Sequence, residues 1–149
     1  MNNKALFSGT FDPFTIGHYA LIKRALYFID EIIIAIGVNS EKKNLYSLEE
    51  RISNIKLIYK DEPKIKVMYY DILTIDFAKQ QNIDFILRGI RNMNDFEYEK
   101  NIADVNMKLS NIETLFMFSE PEYSHISSSL VRELIHYNKD ISNLIPIIK

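Results

Sequence analysis

The sequence predicts an α/β fold, a five-stranded parallel sheet with helices on both faces, from three observations. Five apolar runs alternate along the chain with five stretches of helical periodicity. The runs are continuously apolar, which is typical of parallel strands buried on both faces. Strands that alternate with helices of this length close into one sheet by right-handed crossovers. Because the 149 residues contain no repeat, low-complexity tract or flexible linker, we predict a single domain over residues 1–149.

The first half of the chain supplies three strands and two helices. Apolar runs predict strands at residues 4–8, 31–38 and 65–69, and amphipathic periodicity predicts helices at 17–27 and 48–59. Ser47 and Glu50 form a capping box, since the serine hydroxyl can accept from the backbone N–H three residues on while the glutamate reaches back. Pro63 marks a turn, not a domain boundary.

The second half supplies two strands and three helices. Strands are predicted at residues 85–88 and 114–118, and helices at 75–81, 94–108 and 128–137. Thr74 and Ser127 are candidate N-caps of the first and last of these helices, because their hydroxyls can accept a free backbone N–H.

The amino-acid composition excludes or disfavours several classes of function. With 18 Lys and Arg against 20 Asp and Glu, the formal net charge is -2 and the pI is near 5.9, so no general field attracts nucleic acid or acidic membranes. The absence of cysteine excludes disulfides and thiol nucleophiles. The longest aliphatic run, residues 32–38, is too short for a membrane span, and no signal-peptide apolar region is visible. We therefore expect a cytoplasmic protein.

Polar residues gather where the predicted strands end, which is where an open parallel sheet binds its ligands. Residues 9–18 follow the first strand and bring two glycines, hydroxyls and His18 to a helix start. Free N–H groups and the positive dipole at such a start favour an anion. An ordinary strand-to-helix loop explains these residues equally well, since neither a Walker A nor a GxGxxG pattern is present.

Cationic side chains follow the second and fourth strands. Lys42 and Lys43 come after the second strand, where a solvated surface pair is the simpler interpretation. Arg88 and Arg91 flank Gly89 at the end of the fourth strand. An arginine that leaves a buried strand end needs an anionic partner, which favours a binding role for this pair.

Acidic residues come after the fourth strand, and residues with hydroxyl groups come after the fifth. Asp95 and Glu97 suit the dipole at a helix start, whereas Glu99 is left open. The serines at 127–129 open the last helix, where they can cradle phosphate oxygens or serve only as a cap and surface. His136 suits the dipole at the C-terminal end of that helix. Because polar groups follow four strands at one edge of the sheet, their convergence predicts a phosphate-binding crevice.

These motifs together resemble those of the bacterial phosphopantetheine adenylyltransferases, a family of the nucleotidyltransferase superfamily with a Rossmann-like fold. The motifs are GTFDP at residues 9–13, TIGH at 15–18, RGIR at 88–91, DFEYE at 95–99 and ISSS at 126–129. TxGH and ISSS alone are typical of the wider superfamily, whereas RGxR followed by DFEYE narrows the match to this family. The resemblance runs over almost the whole chain.

The resemblance implies transfer of an adenylyl group from ATP to 4'-phosphopantetheine, with Mg2+ as cofactor, in a homohexamer. The products implied are dephospho-coenzyme A and pyrophosphate. By position, the implied catalytic residues are Thr10, His18, Lys42 and Arg88. The implied phosphopantetheine-binding residues are Thr10, Lys42, Arg88 and the backbone at Leu73 and Thr74. The implied ATP-binding residues are Thr10, Phe11, His18, Gly89, Ile90, Arg91, Glu99, Tyr123, Ser124, His125, Ile126, Ser127, Ser128 and Ser129. No side chain is assigned to the metal.

Three features depart from the family pattern. Ser8 stands where proline is usual, His125 varies the segment before the serines, and the chain ends soon after Pro146. We expect the first two departures to alter ATP affinity and the third to affect the final helix and a subunit contact.

The implied reaction explains why no general base is predicted. A phosphate monoester has a second pKa near 6, so at pH 7 the acceptor is already largely the anionic nucleophile. Catalysis is then alignment plus stabilisation of charge, and His18 is the candidate donor.

Two other functions fit parts of the pattern. One is a nucleotidyltransferase with another acceptor, such as nicotinate mononucleotide or glycerol 3-phosphate, and Lys42, Arg88 and the DFEYE segment argue against it. The other is a non-catalytic nucleotide sensor, which the joint presence of His18, Lys42, Arg88 and Arg91 makes the weaker interpretation. A nucleic-acid-binding module is disfavoured by the acidic pI and the lack of a basic stripe.

Overall fold

The computed structural model describes residues 2–148, which form five strands and five α-helices. The strands are β1 Lys4–Gly9, β2 Glu31–Gly37, β3 Ile65–Tyr70, β4 Phe85–Ile90 and β5 Glu113–Phe118. The helices are α1 Ile16–Ala25, α2 Leu48–Ile58, α3 Thr74–Gln80, α4 Met93–Ser110 and α5 Ser128–His136. All five predicted strands and helices are present, with ends shifted by one or two residues. A short 3-10 helix at Pro121–Tyr123 was not predicted.

The strands form one sheet in the order β3-β2-β1-β4-β5, and every neighbouring pair is parallel. The predicted fold class is therefore confirmed. β1 and β4 are neighbours from which the chain continues to opposite sides of the sheet, β1 to β2 and β4 to β5. Such a switch point leaves a crevice outside the carboxyl ends of the two strands.

Helices cover both faces of the sheet. Alternate residues of β2 point to opposite faces: Ile32, Ile34 and Ile36 pack with α1 and α2, whereas Ile33 and Ala35 pack with α3. All five are at most 1 % exposed, which accounts for the unbroken apolar run in the sequence. Of the helices within residues 2–148, none combines the length and apolar character that a membrane span requires.

The helix starts follow local hydrogen-bonding chemistry, with one correction. The predicted capping box is present: the Ser47 hydroxyl accepts from Glu50 N–H at 3.1 Å, and the Glu50 carboxylate accepts from Ser47 N–H at 2.7 Å. Ser127 caps α5 by accepting from Leu130 N–H at 3.1 Å, also as predicted. Thr74, however, is not a cap. Leu73 holds the N-cap position and Thr74 is the first helical residue, because its hydroxyl is paired with the hydroxyl of Tyr70 at 2.9 Å.

Candidate active site

A polar cleft of about 310 Å³ opens at the carboxyl ends of β1 and β4. Its walls come from the segments that follow β1, β2, β4 and β5, as the convergence of the polar groups predicted. The predicted site residues that line it are Thr10, Phe11, His18, Lys42, Arg88, Gly89, Arg91, Glu99, Tyr123, Ile126, Ser127, Ser128 and Ser129. Thr10, Arg88 and Glu99 also line a second cavity.

The second cavity, of about 390 Å³, has a largely apolar wall. Leu73 and Thr74 from the start of α3 form one side, and Ile102, Val105 and Leu109 of α4 form another. Because the two cavities share residues of β1 and β4, they adjoin at the carboxyl ends of these strands.

Three predicted site residues lie outside both cavities. The Ile90 side chain is buried, and its carbonyl accepts from Ser119 N–H at 2.9 Å. The Ser124 hydroxyl donates to the carbonyl of Pro121 at 3.1 Å, and His125 is exposed. Contacts of these residues with ATP stay predictions.

His18 is held by the first turn of α1. Thr15 is the N-cap of this helix, and its backbone N–H donates to His18 Nδ1 at 2.9 Å. In return, the Thr15 hydroxyl accepts from His18 N–H at 3.4 Å. The ring also packs against Phe11 and Phe14, with centroids 5.1 and 5.2 Å away. Because Nδ1 accepts a hydrogen bond, the neutral ring carries its proton on Nε2.

The surroundings of His18 keep it uncharged. Burial, followed by the nearby charges of Arg91 and Arg88, lowers the pKa of His18 from 6.5 to about 3. The ring is therefore neutral at pH 7, and Nε2–H is a hydrogen-bond donor without a full positive charge.

Arg88 has its anionic partner within the chain. Its guanidinium forms a bidentate pair with Glu99, with Nε 2.9 Å from Oε2 and Nη2 2.6 Å from Oε1. Nη1 also donates to the backbone carbonyl of Ser8. Glu99 is therefore the anionic partner that the sequence predicted for Arg88. The spacing of the acids alone assigned no role to Glu99. This pair fixes the Arg88 side chain at the junction of the two cavities.

Arg91 is held in a similar way. Its Nε lies 3.0 Å from Asp95 Oδ2. Asp95 was predicted to serve only the helix dipole, and the structure adds this ion pair. The start of α4 is capped by Asn92, whose side chain accepts from Asp95 N–H at 2.9 Å. Asn92 was not predicted as a cap.

Of the two lysines after β2, one lines the polar cleft and the other does not. Lys42 lines the polar cleft, and its Nζ lies 3.3 Å from Thr10 Oγ1. Lys43 is exposed and lines neither of the two cavities. The structure thus places one member of the predicted surface pair at the cleft.

The serines at the start of α5 use their hydroxyls mainly within the protein. Ser127 caps the helix, and the Ser128 hydroxyl donates to the carbonyl of Pro13 at 2.8 Å. The Ser129 hydroxyl accepts from Arg132 Nη2 at 3.1 Å. What α5 presents to the cleft is therefore mainly its N-terminal backbone, with the dipole that favours an anion.

Arg132 lines the cleft and was not singled out from the sequence. It lies three and four residues after Ser129 and Ser128, so all three share one helix face, and this spacing was the available signal. Its Nη1 donates to the carbonyl of Asp12 at 2.8 Å. Asp12, buried after β1, was also not singled out.

The described lining residues carry more positive than negative charge. Four cationic side chains, Lys42, Arg88, Arg91 and Arg132, line the cleft, and its two carboxylates, Asp95 and Glu99, are paired with arginines. Within residues 2–148, no group of three or more His, Asp or Glu side chains is placed to hold a metal ion. The donor set fits an anionic ligand.

Comparisons with known proteins find relatives over nearly the whole chain. A family model described as cytidylyltransferase-like matches residues 6–134. The phosphopantetheine adenylyltransferase of Bacteroides thetaiotaomicron is 59 % identical over 143 residues, which are 96 % of this chain and 95 % of that protein. The protein of the same name from Porphyromonas gingivalis is 45 % identical over 144 residues, covering 97 % and 94 %.

A solved structure from Vibrio parahaemolyticus, assigned as a nicotinate-nucleotide adenylyltransferase, superposes with a TM-score of 0.68. It covers 99 % of this chain and 95 % of its own, at 19 % identity. At that identity, the likeness shows a shared fold and no more.

Proposed function

This chain belongs to the phosphopantetheine adenylyltransferase family, and on that premise we propose that it transfers the adenylyl group of ATP to 4'-phosphopantetheine. The products are dephospho-coenzyme A and pyrophosphate. The observation that carries the proposal is the pair of adjoining cavities, one polar and cationic, the other largely apolar, which meet at Thr10 and Arg88. A triphosphate suits the first cavity, and a phosphate ester with a long uncharged arm suits the junction and the second.

The reaction needs control of charge and no proton removal. The acceptor phosphate, with a second pKa near 6, is largely dianionic at pH 7. One of its oxygens forms a bond to the α-phosphorus of ATP, while the bond from that phosphorus to the bridging oxygen breaks and pyrophosphate leaves. Because both reactants are anions, the chain must align them and stabilise charge at the α-phosphate.

His18 is the donor to this charge. Its Nδ1 is occupied by Thr15 N–H, so Nε2–H is the free donor of a ring that lines the cleft. The low pKa keeps the ring neutral, so it donates a hydrogen bond and does not transfer a proton. One such donor aimed at developing charge typically contributes about 3 to 4 kcal/mol, or roughly 100- to 1000-fold in rate.

The cations divide between the two substrates. Lys42, near Thr10, holds the acceptor phosphate at the junction of the cavities. Arg88, whose charge is paired with Glu99, donates to that phosphate through a second N–H of Nη1 or Nη2. Arg91, Arg132 and the start of α5 face the rest of the polar cleft and hold the phosphates of ATP. Leu73 and Thr74, with the apolar face of α4, receive the arm of the acceptor.

Mg2+ fits this site as an ion that ATP carries. The two carboxylates of the cleft are committed to Arg88 and Arg91, so the phosphate oxygens and water are the remaining ligands, which is how Mg2+ commonly binds beside nucleotides. When bound, the ion would neutralise negative charge on the triphosphate.

The protein acts as a homo-oligomer, and the homohexamer is the form that the resemblance implies. Supporting this, Tyr98, Ile102, Val105 and Leu109 recur at helical spacing along α4 and are 38 to 66 % exposed. Together they form an apolar stripe that a second subunit can cover. Because Ile102, Val105 and Leu109 also line the second cavity, the test uses Tyr98, which lies outside it: in sedimentation velocity, Tyr98→Glu should shift the protein toward monomers.

We also place the protein in the cytoplasm, where ATP is available to it. Neither nucleic acid nor a membrane is proposed as a partner, because the net charge is -2 and the cations of the cleft are confined to the cavity walls.

Product identification tests the proposed function. Purified protein is incubated with ATP, Mg2+ and 4'-phosphopantetheine, and the products are separated and weighed by mass spectrometry. Formation of dephospho-coenzyme A in step with pyrophosphate supports the proposal. Pyrophosphate without an adenylylated acceptor would show ATP hydrolysis instead and contradict it.

A further inference from the structure

Asp12 joins the loop after β1 to the segment after β2. It follows β1, and its side chain is 2 % exposed. Its Oδ2 accepts the backbone N–H of Leu45 at 2.8 Å, and its Oδ1 accepts that of Tyr46 at 2.9 Å. These donors belong to segment 38–47, which links β2 to α2 without helix or strand and carries Lys42.

Around Lys42, the segment is tied mainly to itself. The Lys42 N–H donates to the carbonyl of Asn39 at 3.1 Å, and the Glu41 N–H donates to the Asn39 side chain at 3.0 Å. Lys42 itself is exposed, and its ammonium group reaches Thr10 at 3.3 Å. Because Leu45 is only three residues further on, the anchor on Asp12 determines where the backbone of Lys42 lies relative to β1.

The loop that carries Asp12 is itself held from two sides. Arg132 donates to the carbonyl of Asp12 at 2.8 Å, and the buried Arg51 donates to the carbonyl of Thr10 at 2.9 Å. The Asp12 carboxylate therefore sits on a braced loop, with both oxygens hydrogen-bonded as a buried charge requires.

We propose that Asp12 is a positioning residue that sets the place of Lys42 against the acceptor phosphate. Its carboxylate is buried and already accepts two backbone N–H groups, so it acts through segment 38–47 and not by touching the substrate. The inference rests on the proposed function, in which Lys42 holds that phosphate. A displacement of about 1 Å in such a contact can lower the rate by up to about 100-fold.

A double-mutant cycle tests this role. Asp12→Asn keeps one acceptor oxygen and turns an amide N–H toward a backbone donor, so at least one anchor bond is lost. We expect it to raise the KM for 4'-phosphopantetheine by about tenfold and the KM for ATP by no more than about threefold. In the Lys42→Met background the same substitution should change the acceptor KM by less than about threefold, because the residue it positions is gone.

Asp84→Asn is the matched control. The Asp84 carboxylate also accepts a backbone N–H, from Lys4 at 2.7 Å, but at the amino ends of β1 and β4, away from the cleft. We expect this variant to lose stability without a change in the acceptor KM. Asp12→Asn acting by the same factor in both backgrounds would overturn the proposal, and so would a wild-type acceptor KM in Lys42→Met.

Amide hydrogen exchange tests the anchor without kinetics, and Asp12→Glu takes the place of Asp12→Asn if that variant does not fold. The amides of Leu45 and Tyr46 should be protected in the wild-type protein, and in Asp12→Asn they should exchange at least about tenfold faster. Asp12→Glu, which keeps the charge but moves it by one methylene, should raise the acceptor KM in the same direction. Unprotected amides in the wild-type protein would overturn the anchor. A wild-type protein that forms no dephospho-coenzyme A, yet protects both amides, would contradict the proposed function and leave the anchor standing.

Discussion

Replacing His18 separates its two roles, as a donor to the reacting phosphate and as part of the cap of α1. His18→Ala removes the Nε2–H donor and the Nδ1 acceptor that satisfies Thr15 N–H. The lost donor should lower kcat by roughly 100- to 1000-fold, or about 3 to 4 kcal/mol, with ATP affinity changed by a few-fold at most. The lost half of the capping box should lower the free energy of unfolding by about 1 kcal/mol.

His18→Gln is the informative second variant. Glutamine is favoured at this position of a capping box, where its oxygen accepts from the N-cap N–H and its amide retains a donor. It should restore the stability lost in His18→Ala and recover part of kcat. His18→Glu, which keeps the cap oxygen but brings negative charge and no donor, should be stable and at least as slow as the alanine variant.

The assay is steady-state pyrophosphate release at saturating ATP and acceptor, with thermal unfolding of each variant alongside. A kcat for His18→Ala within about fivefold of wild type would refute the donor role. NMR of the ring adds an independent check, because a pKa of about 3 predicts a neutral Nε2–H ring from about pH 5 to pH 9. A ring that titrates near 6.5 would refute the electrostatic argument.

Three further predictions follow from the cleft. Lys42→Met should raise the acceptor KM by at least about tenfold, because the charge pair between Lys42 and the acceptor phosphate is lost. The matched variant Lys43→Met should leave the KM values for ATP and the acceptor unchanged, since Lys43 lines neither cavity. Steady-state kinetics tests this, and equal effects of the two substitutions on the acceptor KM would contradict it. Glu99→Gln should lower the free energy of unfolding by about 1 to 3 kcal/mol, because the Arg88 guanidinium loses its charged partner, and a wild-type urea midpoint would contradict this. Folding lowers the pKa of His18 from 6.5 to about 3, so the contribution of this residue to the free energy of unfolding is full above about pH 6.5. That contribution is lost as the pH falls toward about 3, and the free energy of unfolding then falls by up to about 1.4 kcal/mol per pH unit. Urea unfolding across this window should show a steeper slope in wild type than in His18→Gln, because carboxylates such as Glu31 titrate in both proteins, and equal slopes would contradict the assignment.

Most of the fold and the position of the site could be predicted from local patterns. Unbroken apolar runs marked β1 and β2, because a parallel strand covered on both faces has few solvent-facing residues, whereas the edge strands β3 and β5 carry exposed residues. Since all five strands are parallel, their carboxyl ends share one edge of the sheet. The strand pattern alone therefore predicts that His18, Lys42 and Arg88 lie in one cleft, as they do.

The rest depended on contacts between loops that periodicity does not encode. Asp12 bonds to N–H groups 33 and 34 residues away, and Arg132 bonds to a carbonyl 120 residues away. The Thr15 cap was missed because a histidine ring replaces the Glu or Gln expected three residues on. Thr74 was wrongly predicted as a cap because its hydroxyl has a partner, Tyr70, on the preceding strand.

The central claim concerns the acceptor, and one parallel assay tests it most directly. Pyrophosphate release is measured for the purified protein with ATP and Mg2+, in separate reactions with 4'-phosphopantetheine, nicotinate mononucleotide or glycerol 3-phosphate. We expect release with 4'-phosphopantetheine alone, because only that acceptor has both a phosphate for Lys42 and Arg88 and a long arm for the second cavity. Release with either of the other acceptors, or no release with any of them from a protein that binds ATP, would contradict it.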